Sequence, residues 1–304
     1  MKYNKIILAG GSGYLGKVLA AHFSGQANEV IIFTRNPKTG NGNVKMVYWD
    51  GSTLGDWAKH LEDSDVLINL AGKSVNCRYN EANMAEIFSS RLNATRVLGE
   101  ALKQTVNPPA LWMNAASATI YRHAEDHPQD EYTGDIGTGF SIEVCKKWEH
   151  AFAEQVVPGI RKVALRISVV LGKNGGVLHY YTNLAKYGLG GIQGDGKQYF
   201  SWVHEDDLAG SIEFLIAHQE LEGAFNIASP YPIQNHEIMR TMRKAVGVPF
   251  GLPASKWMLG IGTLLLQTET ELILKSRWVL PARLLDAGYT FKVPYIKDAV
   301  EKSI

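Results

Sequence analysis

The stretch that decides the fold is Ile6-Ile7-Leu8-Ala9-Gly10-Gly11-Ser12-Gly13-Tyr14-Leu15-Gly16. Its apolar start predicts a buried strand, and Gly10, Gly13 and Gly16 predict a tight turn that leads into a helix. Residues 17–23 carry apolar side chains at helical spacing, which meets the strand–turn–helix condition for a dinucleotide site. A helix start aims backbone N–H groups at a pyrophosphate. The sequence therefore predicts dinucleotide binding here, with a purely conformational glycine turn as the alternative.

The second strand pattern, residues 29–35, ends in Thr34-Arg35 and is stopped by Asn36-Pro37. At this point of a doubly wound sheet an acid accepts the ribose hydroxyls of NAD, whereas an Arg accommodates the 2′-phosphate of NADP. The acid is absent here. We therefore expect NADP(H), with a solvated surface charge as the alternative role of Arg35.

Further strand patterns alternate with helical ones along the first 170 residues. The strand patterns are 44–49, 65–72, 110–116 and 163–167, and the helical patterns are 56–61, 80–104 and 142–154. This alternation predicts an α/β fold with a doubly wound parallel Rossmann sheet. We expect an NADP-binding Rossmann domain over residues 1–170 and a smaller substrate-binding or C-terminal domain over 171–304, with 201–228 returning to the first.

The second half of the chain changes character. Glycines crowd residues 172–196, which predicts long loops across the carboxyl ends of the strands, where ligands bind in this architecture. Helical patterns follow at 206–217 and 235–246, on either side of a last strand pattern at 223–227.

Composition narrows the class of partner. The 304 residues include 31 Lys and Arg against 30 Asp and Glu, so no electrostatic footprint for nucleic acid or an anionic membrane is present, and a small-molecule substrate is expected. The apolar stretch 257–266 is shorter than the roughly 20 residues that cross a bilayer, and it predicts a buried helix. A core strand begins within five residues of Met1, too early for a signal peptide, so a cytoplasmic location is expected.

Cys77 and Cys145 lack the paired spacing of a zinc site or a disulfide framework. We expect no metal, a reducing compartment and two incidental thiols.

With these pieces placed, the chain resembles the extended and atypical short-chain dehydrogenase/reductase superfamily, which includes nucleotide-sugar epimerases and dehydratases. Besides the glycine turn, the resemblance rests on Asn69-Leu70-Ala71-Gly72, Ser117-Ala118-Thr119-Ile120-Tyr121, Leu165-Arg166 and Trp202-Val203-His204-Glu205-Asp206-Asp207-Leu208. The segments 143–149, 188–200 and 281–289 are similar to one branch, the epimerase-family proteins related to YfcH and SDR39U, which carry a small C-terminal domain.

The resemblance implies a set of cofactor-binding residues: Gly10, Ser12, Gly13, Tyr14, Leu15, Gly16, Thr34, Arg35, Asp50, Leu70, Ala71, Gly72, Arg91 and Ile167. It also implies a catalytic Tyr, with a Lys four residues later that lowers the pKa of the Tyr. Those two positions hold Ser141 and Cys145, so the usual acid/base pair is absent. Ser117 is expected to hydrogen-bond a substrate oxygen, with a strand-end hydroxyl satisfied by the backbone as the alternative. Tyr121 is a stand-in acid or a structural residue.

The resemblance also implies an Arg that holds a substrate diphosphate, but Phe200 occupies its place. Lys197 or Arg283 would have to substitute, or else be surface charges, so a nucleotide sugar is disfavoured. Four aromatic or imidazole side chains are candidates for the substrate pocket, with loop anchoring as the alternative for the last: His179, Tyr199, Trp202 and His204.

Two functions follow. The first is an NADP(H)-dependent oxidoreductase or epimerase-like enzyme acting on a small carbonyl or alcohol. The second is a non-catalytic NADP(H)-binding redox sensor or regulatory protein, favoured by Ser141 and Cys145 at the catalytic positions. The apolar face of residues 84–102 is open to two interpretations, a homodimer interface or burial within the domain.

Overall fold

The computed structural model describes residues 1–265 and 269–304, and the side chains of 261–265 lie outside that description. The strands are β1 (Tyr3–Ala9), β2 (Ala27–Thr34), β3 (Val44–Tyr48), β4 (Val66–Asn69), β5 (Leu111–Ser117), β6 (Arg161–Ile167), β7 (Val169–Gly172), β8 (Gly175–Gly176), β9 (Tyr199–Phe200), β10 (Trp202–His204), β11 (Gly223–Ile227) and β12 (Ile233–Gln234). The helices are α1 (Tyr14–Ser24), α2 (Glu81–Gln104), α3 (Phe140–Ala153), α4 (Leu178–Lys186), α5 (Glu205–Ala217), α6 (Asn235–Ala245), α7 (Lys256–Leu265), α8 (Glu271–Leu274), α9 (Ala282–Asp286) and α10 (Ile296–Ser303). Short 3-10 helices cover Asp56–Leu61 and Ala118–Ile120.

The central sheet has seven strands in the order β11-β6-β5-β4-β1-β2-β3. Every neighbouring pair in it is parallel, with Ile6 opposite Val30 on one side and Val66 on the other. This confirms the predicted α/β fold with a doubly wound parallel sheet. The strand order reverses between β1 and β4, and the crevice at the carboxyl ends of these strands is where this architecture binds ligands.

Side chains along β1 alternate between two hydrophobic cores, one on each face of the sheet. Ile6 and Leu8 pack in one core with α1 and α5, whereas Ile7 and Ala9 pack in a second core with α2. Successive side chains of a strand point to opposite faces, so an unbroken apolar run is what a sheet covered on both sides requires. Because each of these buried strands is an apolar run, the strand patterns in the sequence predicted the sheet closely.

A smaller region lies beyond β6. Strand β7 pairs with β10 and β8, and β9 pairs with β12. Helices α4, α6 and α10 supply a separate apolar core, in which Trp202, Ile238 and Val300 are buried. Strand β11 leaves this region and joins the main sheet beside β6.

Three expectations need correction or completion. The stretch 172–196 is not all loop, since it contains α4. The stretch 257–266, predicted to be a buried helix, starts in α7, where Trp257 and Met258 are 70% and 44% exposed and Leu259 is half-buried. The side chains of 261–266 lie outside the described ones. The apolar face of α2 packs largely inside the domain through Ile87, Leu98 and Leu102.

Candidate functional site

The glycine turn between β1 and α1 leaves an open cradle. Gly10 has φ +72°, and a Cβ there would lie 2.7 Å from Ala71 Cα, so this position demands glycine. Gly13, the N-cap of α1, has an ordinary φ of −77°, and no described protein atom lies within 4 Å of a Cβ built on it. The fold therefore leaves room at Gly13 beside unpaired helix N–H groups, which fits a pyrophosphate.

A groove of about 500 Å³ extends from this cradle along the ends of β2 and β3. Thr34 Oγ1 donates to Ser12 Oγ over 3.1 Å, while the exposed Arg35 has no hydrogen-bond or ion-pair partner among the described residues. Burial would raise the pKa of Asp50, but hydrogen bonds from Thr53 and Ser52 lower it to about 2. The groove thus offers a free guanidinium where a ribose 2′-phosphate would lie.

A second cavity, the inner pocket, has a volume of about 410 Å³ and adjoins the groove at Leu70 and Gly72. Of the fourteen expected cofactor-binding residues, thirteen line the groove or the inner pocket, and Gly16 packs beneath the turn against Gly11. Arg91 lies in the inner pocket with its guanidinium 4.9 Å from the Trp148 ring centroid. The residues present fit an extended NADP(H) molecule.

Ser117, Ser141 and Cys145 all line the inner pocket. Ser117, at the carboxyl end of β5, accepts the Thr119 N–H over 3.2 Å, which leaves its own proton for a ligand. Burial raises the pKa of the Cys145 thiol to about 11, so this side chain is a neutral, unreactive group at neutral pH.

Ser141 does not act alone at the position that the resemblance assigns to the Tyr. Its Oγ donates to Glu271 Oε2 over 3.1 Å and lies 3.5 Å from the Tyr79 hydroxyl. Burial raises the pKa of Tyr79, so the phenol keeps its proton at neutral pH. A phenol is therefore present in the pocket, although it comes from the segment between β4 and α2 rather than from α3.

Two cations from the C-terminal part also reach this area. Lys275 Nζ donates to Thr119 O over 2.7 Å, and Arg277 Nε donates to Thr119 Oγ1 over 3.1 Å. Burial, followed by the neighbouring Arg277 charge, lowers the pKa of Lys275 to about 8. Burial likewise lowers the pKa of Arg277.

Tyr121, the candidate stand-in acid, is not among the described residues that line the inner pocket. It is 2% exposed, donates to Asn226 Oδ1 over 3.1 Å and accepts from Arg166 Nη1 over 2.9 Å. Arg166 in turn donates two hydrogen bonds of 2.8 Å to the Glu149 carboxylate. Tyr121 therefore belongs to a structural network between β6, α3 and β11.

None of the four expected substrate-pocket residues lies among the described residues that line the inner pocket. His179 is exposed on α4, and Tyr199 stacks on Trp278 with ring centroids 3.9 Å apart. Trp202 is buried in the smaller core. His204 caps α5 by accepting the Asp206 N–H over 3.2 Å, which matches its alternative role as a loop anchor.

The expected substitutes for the missing diphosphate-binding Arg are also placed elsewhere. Lys197 is exposed, and Arg283 donates to Ala224 O over 2.8 Å and Glu222 O over 2.9 Å, beside β11.

Sequence reasoning missed Tyr79, Glu271, Lys275 and Arg277. The signal for the two cations was the cluster Lys275-Ser276-Arg277, in which they flank a serine directly after an apolar segment. Glu271, Lys275 and Arg277 bond the wall residues Ser141 and Thr119 because the C-terminal part folds back against the pocket, which no local pattern reports.

Among the described residues, no helix combines the length and the apolar composition needed to cross a membrane.

Comparisons with known proteins agree with this geometry. A family model described as "NAD dependent epimerase/dehydratase family" matches residues 6–228, and "Domain of unknown function (DUF1731)" matches residues 254–302. The chain is similar to mouse epimerase family protein SDR39U1, with 28% identity over 98% of both chains. It is also similar to Bacillus subtilis epimerase family protein YfhF, with 29% identity over 98% of this chain and 97% of that one.

Among solved structures, human epimerase family protein SDR39U1 (isoform 2), crystallised with NADPH, superposes with a TM-score of 0.87 and 26% identity over 98% of both chains. MoeE5, in complex with UDP-glucuronic acid and NAD, superposes with a TM-score of 0.78 at 16% identity over 99% of this chain and 97% of that one, which shows the shared fold alone. The predicted resemblance is therefore confirmed, and the chain belongs to the NAD dependent epimerase/dehydratase family, with a DUF1731 domain at its C-terminal end.

Proposed function

We propose that this protein binds NADP(H) and catalyses hydride transfer to or from a small carbonyl or alcohol, as an oxidoreductase or with an epimerase-like reaction. The observation that carries the proposal is the continuity of the Arg35 groove with an inner pocket in which Ser117 and Tyr79 present hydroxyl groups. NADPH in the crystal of human SDR39U1 supports the cofactor assignment. Bound NADP(H) supplies or accepts the hydride.

Four side chains that line the inner pocket have a role in this proposal, those of Ser117, Tyr79, Ser141 and Cys145. The Ser117 hydroxyl, whose oxygen already accepts the Thr119 N–H, donates its proton to the substrate oxygen and polarises the carbonyl. The Tyr79 phenol, protonated because burial raises its pKa, gives a proton to that oxygen in the reductive direction. Glu271 accepts the Ser141 hydroxyl and so fixes the residue beside Tyr79. Cys145 packs as a neutral thiol.

The test is NADPH oxidation by purified protein with a broad panel of aldehydes and ketones. Ser117→Ala should lower kcat/KM by roughly 10²-fold, the cost of one lost oxyanion donor, and Tyr79→Phe should lower kcat. The half-buried Ser24, whose Oγ donates to Ala21 O far from the pocket, gives the matched control Ser24→Ala. Tight NADPH binding without turnover of any compound, and no effect of either pocket substitution, would exclude hydride transfer.

The second candidate is NADP(H)-dependent regulation without chemistry. The observation in its favour is the replacement of the usual pair by Ser141 and a buried, neutral Cys145. Affinity capture with and without NADPH distinguishes the two candidates. A stoichiometric protein partner that is captured in only one cofactor state supports regulation. If no partner is captured either with or without NADPH, regulation is contradicted.

A further inference from the structure

Arg91 is the one charged side chain among the described residues that line the inner pocket. Its guanidinium is held on two sides, because Nη1 donates to Ile87 O over 2.9 Å and the group lies 4.9 Å from the Trp148 ring centroid. Within the part of the chain that the structure describes, Nε and Nη2 have no hydrogen-bond partner and no carboxylate pairs with the group. Burial lowers the pKa of Arg91, but a guanidinium keeps its proton at neutral pH. The described lining of the pocket therefore carries one fixed positive charge.

The Arg91 guanidinium lies beside the passage between the groove and the inner pocket. Gly72 lines both cavities, and a Cβ built on it would lie 3.0 Å from Arg91 Cζ. Gly13 lines the groove, whereas Ser117 lines the inner pocket. The charge is thus placed where the cavities for the two ends of a dinucleotide meet.

The surroundings of the pocket do not cancel this charge. The Cys145 thiol in the pocket wall responds to the nearby charges through its pKa, which burial raises most and Glu149 raises further. Three cations lower it, namely Lys275, Arg91 and Arg277. The Glu149 carboxylate is already paired, because Arg166 donates two hydrogen bonds to it. The charges around this thiol therefore leave a positive excess.

Glu271 is a carboxylate near the other end of the pocket. Its Oε2 accepts the Ser141 hydroxyl. Ser141 lies seven residues before Trp148 on α3, roughly 10 Å along the helix from the ring on which Arg91 stacks. Its charge also acts on the two cations of the C-terminal part, Lys275 and Arg277. Glu271 is therefore not the counter-charge of Arg91.

We infer that the inner pocket selects the reduced cofactor, NADPH, over NADP+, and that Arg91 sets this preference. The nicotinamide ring carries one positive charge in NADP+ and none in NADPH, while the phosphates and both riboses are the same in the two forms. Two like charges in a small, largely apolar cavity repel each other more strongly than in water. Arg91 therefore weakens the binding of NADP+ and spares that of NADPH. The inference rests on the proposed function for one point, that the nicotinamide end occupies the inner pocket.

This selectivity matters for both candidate functions. When NADPH and NADP+ are present at equal concentrations, the site is occupied mainly by NADPH. Hydride transfer then begins with the carbonyl compound, because the bound cofactor is in its reduced form. For regulation, occupancy of the site reports the level of NADPH.

The experiment measures Kd by calorimetry for three ligands on the purified full chain: NADPH, NADP+ and 2′-phospho-ADP-ribose, which lacks the nicotinamide. We expect NADPH to bind about tenfold or more tightly than NADP+, the size of effect that one like charge in a small cavity produces. Arg91→Gln should lower this ratio by at least about threefold, while Arg91→Lys, which keeps the charge, should retain most of it. Arg91→Gln should leave the affinity for 2′-phospho-ADP-ribose unchanged.

The matched control is Arg96→Gln on the same helix, where the exposed Arg96 pairs with Glu100, and it should leave all three Kd values unchanged. Circular dichroism shows whether each variant is folded, and Arg91→Met takes the place of Arg91→Gln if the latter does not fold. Equal Kd values for NADPH and NADP+ in the unmodified protein overturn the inference, whichever variant folds. A ratio that stays unchanged in the folded neutral variant also overturns it. Equal losses for all three ligands would mean that Arg91 holds a phosphate instead.

NADPH oxidation with the panel of aldehydes and ketones is followed on the same proteins. Turnover together with equal affinities for NADPH and NADP+ removes the inference and leaves the proposed function standing. Selective binding of NADPH without turnover of any compound has the opposite result.

Discussion

Ser141 Oγ donates a hydrogen bond of 3.1 Å to Glu271 Oε2, which joins α3 to α8 in the C-terminal part of the chain. Ser141 stands where the resemblance places a catalytic Tyr. The contact shows that the changed position is integrated into the pocket, with Tyr79 on one side and a carboxylate on the other. The loss of the usual pair on α3 is accompanied by polar groups that reach the same cavity from elsewhere in the chain.

Gly13→Ala should weaken NADPH binding without destabilising the protein. An Ala at φ −77° is unstrained and meets no described atom, so the free energy of unfolding should stay equal or rise by about 0.4–1 kcal/mol. The added methyl would occupy the cradle, and we expect a loss of about 1–3 kcal/mol in binding. Gly25→Ala, at an equally open position with φ −82°, is the control that should bind NADPH normally. Calorimetry and thermal unfolding check both, and unchanged affinity in Gly13→Ala would mean that the pyrophosphate lies elsewhere.

Arg35→Ser should remove the preference for NADPH over NADH. The free guanidinium offers charge-assisted hydrogen bonds to a 2′-phosphate, whose loss costs about 1.5–3 kcal/mol, while NADH lacks that phosphate. Thermal shift measures this directly, because a ligand at 100 times its Kd raises the unfolding free energy by about 2.7 kcal/mol. Lys38→Ser, three residues along the same exposed segment, is the control. Equal shifts with NADPH and NADH in the unmodified protein would contradict the role of Arg35.

Tyr121→Phe should destabilise the fold rather than abolish chemistry. The substitution leaves Arg166 Nη1 and Asn226 Oδ1 without the hydroxyl that each of them bonds, and a buried unsatisfied group costs about 1–3 kcal/mol. Urea unfolding should show this loss while NADPH affinity is unchanged. A variant of normal stability that has lost all turnover would instead reinstate Tyr121 as the proton donor.

Stability should depend on pH in the alkaline range through two buried groups. The pKa of Lys275 falls from 10.5 to about 8 on folding, so between these values the unfolded chain binds more protons and the free energy of unfolding rises with pH. The pKa of Cys145 rises from 9.0 to about 11, so above pH 9 the folded protein binds more protons and the effect reverses. We therefore expect a rise from pH 8 to 9 and a flatter curve above it.

Urea unfolding at successive pH values checks this expectation. Lys275→Met should abolish the rise between pH 8 and 9, and Cys145→Ala should remove the opposing effect above pH 9. Lys103→Met, on the exposed face of α2, should follow the unmodified protein. If the Lys275→Met curve runs parallel to that of the unmodified protein over this range, Lys275 does not titrate as its burial implies.

The cofactor half of the site could be predicted because its signals are local. Gly10 needs φ +72° within a single turn, and Arg35 follows β2 directly, so the residues that make the groove are neighbours in the sequence or lie at the ends of adjacent strands. Hydrophobic periodicity gave the strands for the same reason, since burial on two faces leaves an apolar run that a short window detects. The helix α4 escaped prediction because the glycines on both sides of it suggested loops.

The sequence by itself determined the doubly wound sheet, the dinucleotide cradle and the absence of the usual acid/base pair on α3. Only the tertiary structure decided that Tyr121, Trp202 and His204 pack in the framework and that Tyr79 lines the inner pocket, while Glu271, Lys275 and Arg277 bond residues of its wall. Glu271 lies 130 residues from Ser141, and Lys275 lies 156 residues from Thr119. The physical reason is that backbone propensity and periodicity act over a few residues, whereas the chemistry of this pocket is set by contacts between segments that meet only after the C-terminal part has packed against the sheet.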